Sequence, residues 1–282
     1  LRGISASNEV TRVLREAIHM TKPSLFYKIN AKIQSFFGYG CLLGRNFNGF
    51  LPLDFEYSLN KLEKDLNKLL IGYPRNHDYR IRKKKLFPSF KLYERLKLVT
   101  SLYPEKLERF IDIGSCRGFY VMEAAQRPHC QVSVGIDVYE PFVTISNKVK
   151  EYLDIKNADF YLATLDKVSN KPEAYGGPFQ TVLFIGAYHY LFWGSKLSSS
   201  AYYSHREILN KLSKISTDRL IFSARLEVDR LPTVLKEKAK MLGNKVTYNT
   251  AYFLKRAGEF FEVRKAGYLG RYPLFVMSKK NS

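Results

Sequence analysis

The chain has 282 residues, 45% of them hydrophobic, enough to bury one large α/β domain with an N-terminal extension. Its 46 Lys and Arg against 26 Asp and Glu give a net charge of +20, which attracts anions such as RNA, DNA, phosphorylated metabolites or acidic membrane surfaces. Cys41, Cys116 and Cys130 are too scattered for a disulfide framework or a CxxC zinc site. They fit a reducing cytoplasm, and no metal is expected. The longest apolar run, VLFIGAYHYLFW at 182–193, is too short to span a bilayer. The opening LRGISASNEVTRVLREA has no apolar leader core, although Leu1 is not an initiator methionine and a removed segment stays open.

In chain order, strand signals are sparse before residue 105, while aromatic and basic residues are dense. Leu59, Leu62, Leu66, Leu69 and Leu70 fall at helical spacing, and Gly72 with Pro74 ends that helix. The next stretch, Arg75 to Lys97, is the most basic of the chain. Pro88 splits it, and a second amphipathic helix is predicted from Ser89 to Leu102. Residues 1–104 therefore read as a mostly helical, basic extension that binds substrate or closes as a lid.

From residue 105 the pattern alternates. RFIDIG, CQVSVGID, ADFYLATL, QTVLFIGA and DRLIFSAR read as strands, and helical stretches follow most of them. EVRKAGYL and YPLFVMSKK close the chain as two strands joined by a short turn. Strands alternating with helices imply a doubly wound, mainly parallel sheet with right-handed crossovers. The short last turn makes the final pair antiparallel. The predicted fold is an α/β, seven-stranded sheet with a C-terminal antiparallel hairpin, over residues 105–282.

In such sheets the ligand lies beyond the carboxyl ends of the strands, where strand order reverses. The turn DIGSCRG after the first strand has Gly114 to turn the backbone and Gly118 to open the helix close to a ligand. A dinucleotide fingerprint would be GxGxxG. Here the spacing is G-x-x-x-G, Cys116 replaces the middle glycine, and Asp112 precedes the first. This disfavours an NAD-dependent dehydrogenase.

The turn resembles the first motif of class I S-adenosylmethionine-dependent methyltransferases, acidic-x-G-x-G-x-G. The departure is Cys116 at the central glycine. The resemblance covers about residues 105–280 and implies S-adenosylmethionine as cofactor. Asp112 would hold the methionine amino group within a turn formed by Gly114, Ser115, Cys116 and Gly118. Asp137, ending the second strand, would accept hydrogen bonds from the ribose hydroxyls, with Val138 and Tyr139 near the adenine. Thr164 and Leu165, after the third strand, would contact the adenine through their backbone, with Asp166 as a side-chain acceptor. LFIGAYHYLF, at the fourth strand, resembles the matching stretch of methyltransferases that include enzymes of the tRNA wobble uridine. Gly186 and Ala187 would then line the cofactor, and Tyr188, His189 and Tyr190 would face the transferred methyl.

His189 is the candidate general base, since an ordinary imidazole titrates near neutrality. The acceptor is open between RNA, with a slight edge from charge, and a small-molecule, sugar or lipid-linked hydroxyl. A non-catalytic cofactor-binding protein is a third reading. In the RNA reading Arg82, Lys83, Lys84 and Lys85 grip phosphates.

Overall fold

A computed structural model describes residues 59–197, 201–243 and 246–280. The expectations for residues 1–58, including Cys41, lie outside the described residues.

Helix α1 (Lys61–Leu69) opens on a capping box, in which Asn60 accepts from the Glu63 amide and the Glu63 carboxylate accepts from that of Asn60. A two-stranded antiparallel hairpin follows, β1 (Tyr79–Arg82) with β2 (Lys85–Pro88). The basic run was expected to be broken only by Pro88, so this hairpin is a correction. Tyr79 and Ile81 alternate into the core. Lys83 and Lys84 both take positive φ, 47° and 57°, the conformation of the tight hairpin turn usually given to Asn-Gly. Glu63 accepts the Lys83 amide at 2.6 Å and the Tyr152 hydroxyl accepts the Lys84 amide at 3.0 Å. Helix α2 (Phe90–Thr100) then starts on a Ser89 cap.

The main sheet has seven strands: β3 (Arg109–Ile113), β4 (Val132–Asp137), β5 (Ala158–Leu162), β6 (Phe179–Ile185), β7 (Ser216–Ser223), β8 (Phe261–Leu269) and β9 (Tyr272–Lys279). Their spatial order is β5-β4-β3-β6-β7-β9-β8. The first five are parallel, and β9 is antiparallel to both β7 and β8. This is the doubly wound sheet with a closing hairpin that the alternation predicts. Strand order reverses between β3 and β6, so a crevice opens at their carboxyl ends.

Between the strands run α3 (Phe119–Ala125), α4 (Glu140–Leu153), α5 (Leu165–Asn170), α6 (Tyr188–Trp193), α7 (His205–Ile215), α8 (Thr233–Leu242) and α9 (Thr250–Ala257). The short α5 and α6 and the helix α8 have no counterpart in the periodicity reading. Side chains alternate across β3. Ile111 and Ile113 join the core under α7 and α9, and Phe110 joins the core under α3 and α4.

Residues 59–104 share that second core. Leu66, Leu70, Tyr79, Ile81, Leu92 and Val99 pack with Phe119 and Tyr120. Arg117 is the fastening. Buried, it donates to the Leu69 and Tyr73 carbonyls at 3.2 and 3.0 Å and pairs with Asp78 at 3.7 Å. The Tyr79 hydroxyl in turn donates to the Arg117 carbonyl at 2.6 Å. A residue of the glycine turn thus ties the N-terminal segment to the carboxyl ends of the strands.

Candidate active site

The turn between β3 and α3 is built from backbone. The amides of Gly114 and Ser115 donate to the Ile136 carbonyl at 2.8 and 3.0 Å, and that of Gly118 to the Ser115 carbonyl at 2.9 Å. Gly118 has φ 75°, and a Cβ there would come within 2.5 Å of the Phe160 ring. Only glycine closes this helix onto β5. Cys116 has φ 53°, a left-handed conformation that costs a side-chain-bearing residue about 1 kcal/mol or more. A central glycine is the strain-free residue here, so the cysteine departs from the motif in chemistry while keeping its geometry. Burial, above all, pushes its thiol up to about 12, which makes it a buried neutral group and not a nucleophile.

Asp137 ends β4 facing this turn. One carboxylate oxygen accepts the Cys116 amide at 2.9 Å and the other the Tyr139 amide at 3.0 Å. Burial pushes its titration above the usual carboxylate range, against the pull of those amides. Each oxygen keeps a lone pair, which is what a ribose diol requires. Asp112, on the neighbouring strand, is buried. Burial first, then the charge of Asp137, push its carboxyl up to about 8, while Arg95 acts in the opposite direction.

A single cleft of about 1840 Å³ runs over these carboxyl ends. Gly114, Cys116, Asp137, Val138, Thr164, Leu165, Gly186, Ala187, His189 and Tyr190 all line it, whereas Asp112, Ser115 and Gly118 do not. Thr164 also caps α5, accepting the Lys167 amide. Ser115 is buried beneath the turn, with its hydroxyl directed at Gly135. Asp166 is engaged elsewhere. Burial raises its titration, but hydrogen bonds from Lys211 at 2.7 Å and Tyr202 at 2.5 Å outweigh this and hold it low.

The stretch after Gly186 is a helix, not a strand end, and this changes which side chains meet the cleft. Tyr188 turns into the core, bonded to His205 and packed on Phe222 and Phe253 at 5.2 and 5.4 Å. His189 and Tyr190 face the cleft, their rings 4.1 Å apart. His189 is 2% exposed and neither ring nitrogen has a hydrogen-bond partner. Burial, then the nearby Arg225 guanidinium, push its titration down to about 3, so the imidazole is neutral at physiological pH.

Arg82, Lys83, Lys84 and Lys85 do not line the cleft. The Lys84 amide is held by Tyr152, near the C-terminus of α4. The N-terminus of that helix is at the cleft, about 18 Å away at 1.5 Å per residue. The cations that do line the cleft include Lys91, Arg95, Lys97, Arg225 and Lys238. Arg95 and Arg225 were not among the sequence candidates. Arg95 belongs to the basic run 75–97, and Arg225 reaches the cleft through tertiary placement with no local motif to mark it.

No protein-family model matches the sequence, and no curated protein does. Solved structures match in fold. The structure of EvdMO1 aligns with a TM-score of 0.50 at 14% identity, over 78% of this chain and 47% of that one. A structure of WbdD with its C-terminal bundle ordered gives 0.52 at 17%, over 79% and 42%. The N-methyltransferase NodS from Bradyrhizobium japonicum WM9, in complex with S-adenosyl-L-homocysteine, gives 0.47 at 10%, over 79% and 100%. The chain spans less than half the length of the first two. The sheet order, the antiparallel strand inserted beside β7 and the acidic glycine turn agree in one assignment: the chain has the class I S-adenosylmethionine-dependent methyltransferase fold.

Proposed function

We propose that this protein transfers a methyl group from S-adenosylmethionine to a small-molecule acceptor bound in the same cleft. The observation that carries this reading is the continuity of the cleft. The cleft lined by the turn that would hold the nucleoside, with Gly114, Cys116 and Asp137, is also lined by Phe90, Leu98, Tyr190 and Tyr272. Concave pockets that combine apolar and aromatic walls with placed polar groups hold small ligands.

Asp137 takes the ribose hydroxyls and Asp112 the methionine ammonium, with Gly114 and Ala187 packed closely enough to exclude larger side chains. A Cβ on Gly114 would approach that of Ala187 to 2.9 Å. The acceptor's lone pair forms the new bond to the methyl carbon as the carbon–sulfur bond breaks. Its electrons stay on sulfur, and S-adenosylhomocysteine leaves. Catalysis is then mostly alignment of nucleophile, carbon and sulfur. An acceptor hydroxyl or amine must also lose a proton, and His189, neutral and facing the cleft, takes it.

The test is a transfer assay with labelled S-adenosylmethionine against a metabolite extract and against total RNA. Label in the low-molecular-weight fraction supports the reading, and label in RNA alone would overturn it. The RNA reading retains one favourable observation, the net charge of +20. Lys91 and Lys97 at the cleft, not the turn at Lys83 and Lys84, would then be its contacts.

A further inference from the structure

We propose that Arg225, with His189 beside it, forms an oxyanion subsite, and that the acceptor is a small molecule bearing a carboxylate or phosphate close to the methylated atom. This rests on the methyl-transfer reading and names its substrate class.

The placement follows from register. Ser223 pairs with Ile185 across β7 and β6, and the Gly186 amide donates to the Ser223 carbonyl at 2.8 Å. The chain continues two residues further to Arg225, alongside Ala187 and the start of α6. Arg225 therefore stands beside the glycine expected to flank the reactive methyl, and both line the cleft.

Among the described residues no carboxylate pairs with Arg225. Nearby Glu227 is taken up by the amide and hydroxyl of Thr250, at 3.0 and 2.5 Å. The guanidinium rests over the Tyr272 ring at 5.6 Å, a contact that orients it and leaves its N–H fork open. His189 adds a second polar group, 2% exposed with both ring nitrogens unpartnered. A half-buried guanidinium beside an unpartnered buried imidazole is costly unless a ligand completes their hydrogen bonds. A carboxylate or phosphate does so, accepting from the guanidinium fork with one oxygen pair and from an imidazole N–H with another lone pair.

A rival occupant is the cofactor's own carboxylate. Arg95 also lines the cleft and acts on Asp112, so a guanidinium other than Arg225 is available to that carboxylate. Filling the subsite has a chemical consequence. Burial is the larger cause of the low His189 titration and the Arg225 charge the smaller; an anion on Arg225 offsets only the second.

The experiment uses the full chain saturated with S-adenosylhomocysteine, probed by thermal shift and titration calorimetry with benzoate, phenyl phosphate and benzyl alcohol. Benzoate or phenyl phosphate should raise the melting temperature, and whichever binds tighter names the oxyanion. Benzyl alcohol should not. Arg225→Gln should weaken anion binding about tenfold or more and leave S-adenosylhomocysteine affinity within about twofold. If that variant does not fold, Arg225→Lys, which keeps charge and loses the fork, should bind the anions with intermediate affinity. The proposal is overturned if neither anion binds the loaded protein, or if Arg225→Gln binds them as the wild type does. A parallel loss of S-adenosylhomocysteine affinity in Arg225→Gln would assign the arginine to the cofactor. Single-stranded RNA binding that competes with the anions and falls steeply with salt would replace the small acceptor by a nucleic acid. Failure of S-adenosylhomocysteine to bind at all would instead remove the methyl-transfer reading beneath it.

Discussion

The two ends of the cleft are finished to different degrees. At the cofactor end, the turn from Asp112 to Gly118 is closed by backbone hydrogen bonds, and Asp137 already accepts two amides. Elsewhere in the cleft, among the described residues, neither ring nitrogen of His189 has a hydrogen-bond partner, and no carboxylate pairs with Arg225, whose guanidinium rests on the Tyr272 ring. The first end is preorganised, so a nucleoside can bind with little rearrangement. The second waits for a ligand to supply its hydrogen bonds. This difference teaches that the proposed cofactor site is set by backbone geometry and the proposed acceptor site by side chains brought together from distant elements.

The sharpest way to break the comparison is at the acceptor end. His189→Ala should lower turnover by about 10²–10⁴-fold, the range for a positioned base, with S-adenosylhomocysteine affinity unchanged in calorimetry. Loss of cofactor affinity and thermal stability together would reassign His189 to the scaffold.

At the cofactor end, Asp137→Ala should weaken S-adenosylhomocysteine by about 1.5–3 kcal/mol, the range for hydrogen bonds to a charged group. An unchanged dissociation constant would displace the ribose from β4.

Asp112 gives a pH signature peculiar to that end. Its carboxyl is held near 8 by burial and by Asp137, and binding an ammonium requires the ionised form. Apparent affinity should therefore rise by up to about tenfold per pH unit toward pH 8, then fall where the ligand's own ammonium loses its proton. Asp112→Asn should bind more weakly with a flat profile. For stability the sign runs the other way. A carboxyl whose folded pKa is raised contributes fully below the unfolded value of 3.8, and that contribution is lost as pH rises through about 8. Near pH 9 the ligand-free Asp112→Asn variant should melt a few degrees above the wild type in calorimetric scans. A lower melting temperature would contradict the burial argument.

The smallest effect is expected away from both ends. Replacing Arg82, Lys83, Lys84 and Lys85 by glutamine should leave cofactor binding and small-molecule transfer within about twofold, since that turn is about 18 Å along α4 from the cleft. A large loss of transfer would bring the basic hairpin back into the acceptor site.

The glycine turn was legible in the sequence because its geometry constrains residue type. Gly114 and Gly118 take left-handed φ, and a carboxylate must end the second strand. The sheet was legible because its strands are short apolar runs alternating with helical periods. The β1–β2 hairpin was not, because Lys83 and Lys84 adopt its turn without the usual Asn or Gly, held by Glu63 and Tyr152 from elsewhere. Tyr188 read as part of a strand end because the apolar run 182–193 hides a switch from period 2 to period 3.6 at Gly186. Arg95 was marked only as one cation of the basic run 75–97, and Arg225 carried no local signal. Their meaning depends on which strand ends and helices come together, which only the folded chain displays.

The central claim is that the crevice between β3 and β6 is an S-adenosylmethionine site and not a dinucleotide site. Titration calorimetry of the full chain with S-adenosylhomocysteine and, separately, with NAD tests it most directly. Saturable one-to-one binding of S-adenosylhomocysteine with no heat from NAD is the predicted result. Tight NAD binding with no response to S-adenosylhomocysteine would contradict it.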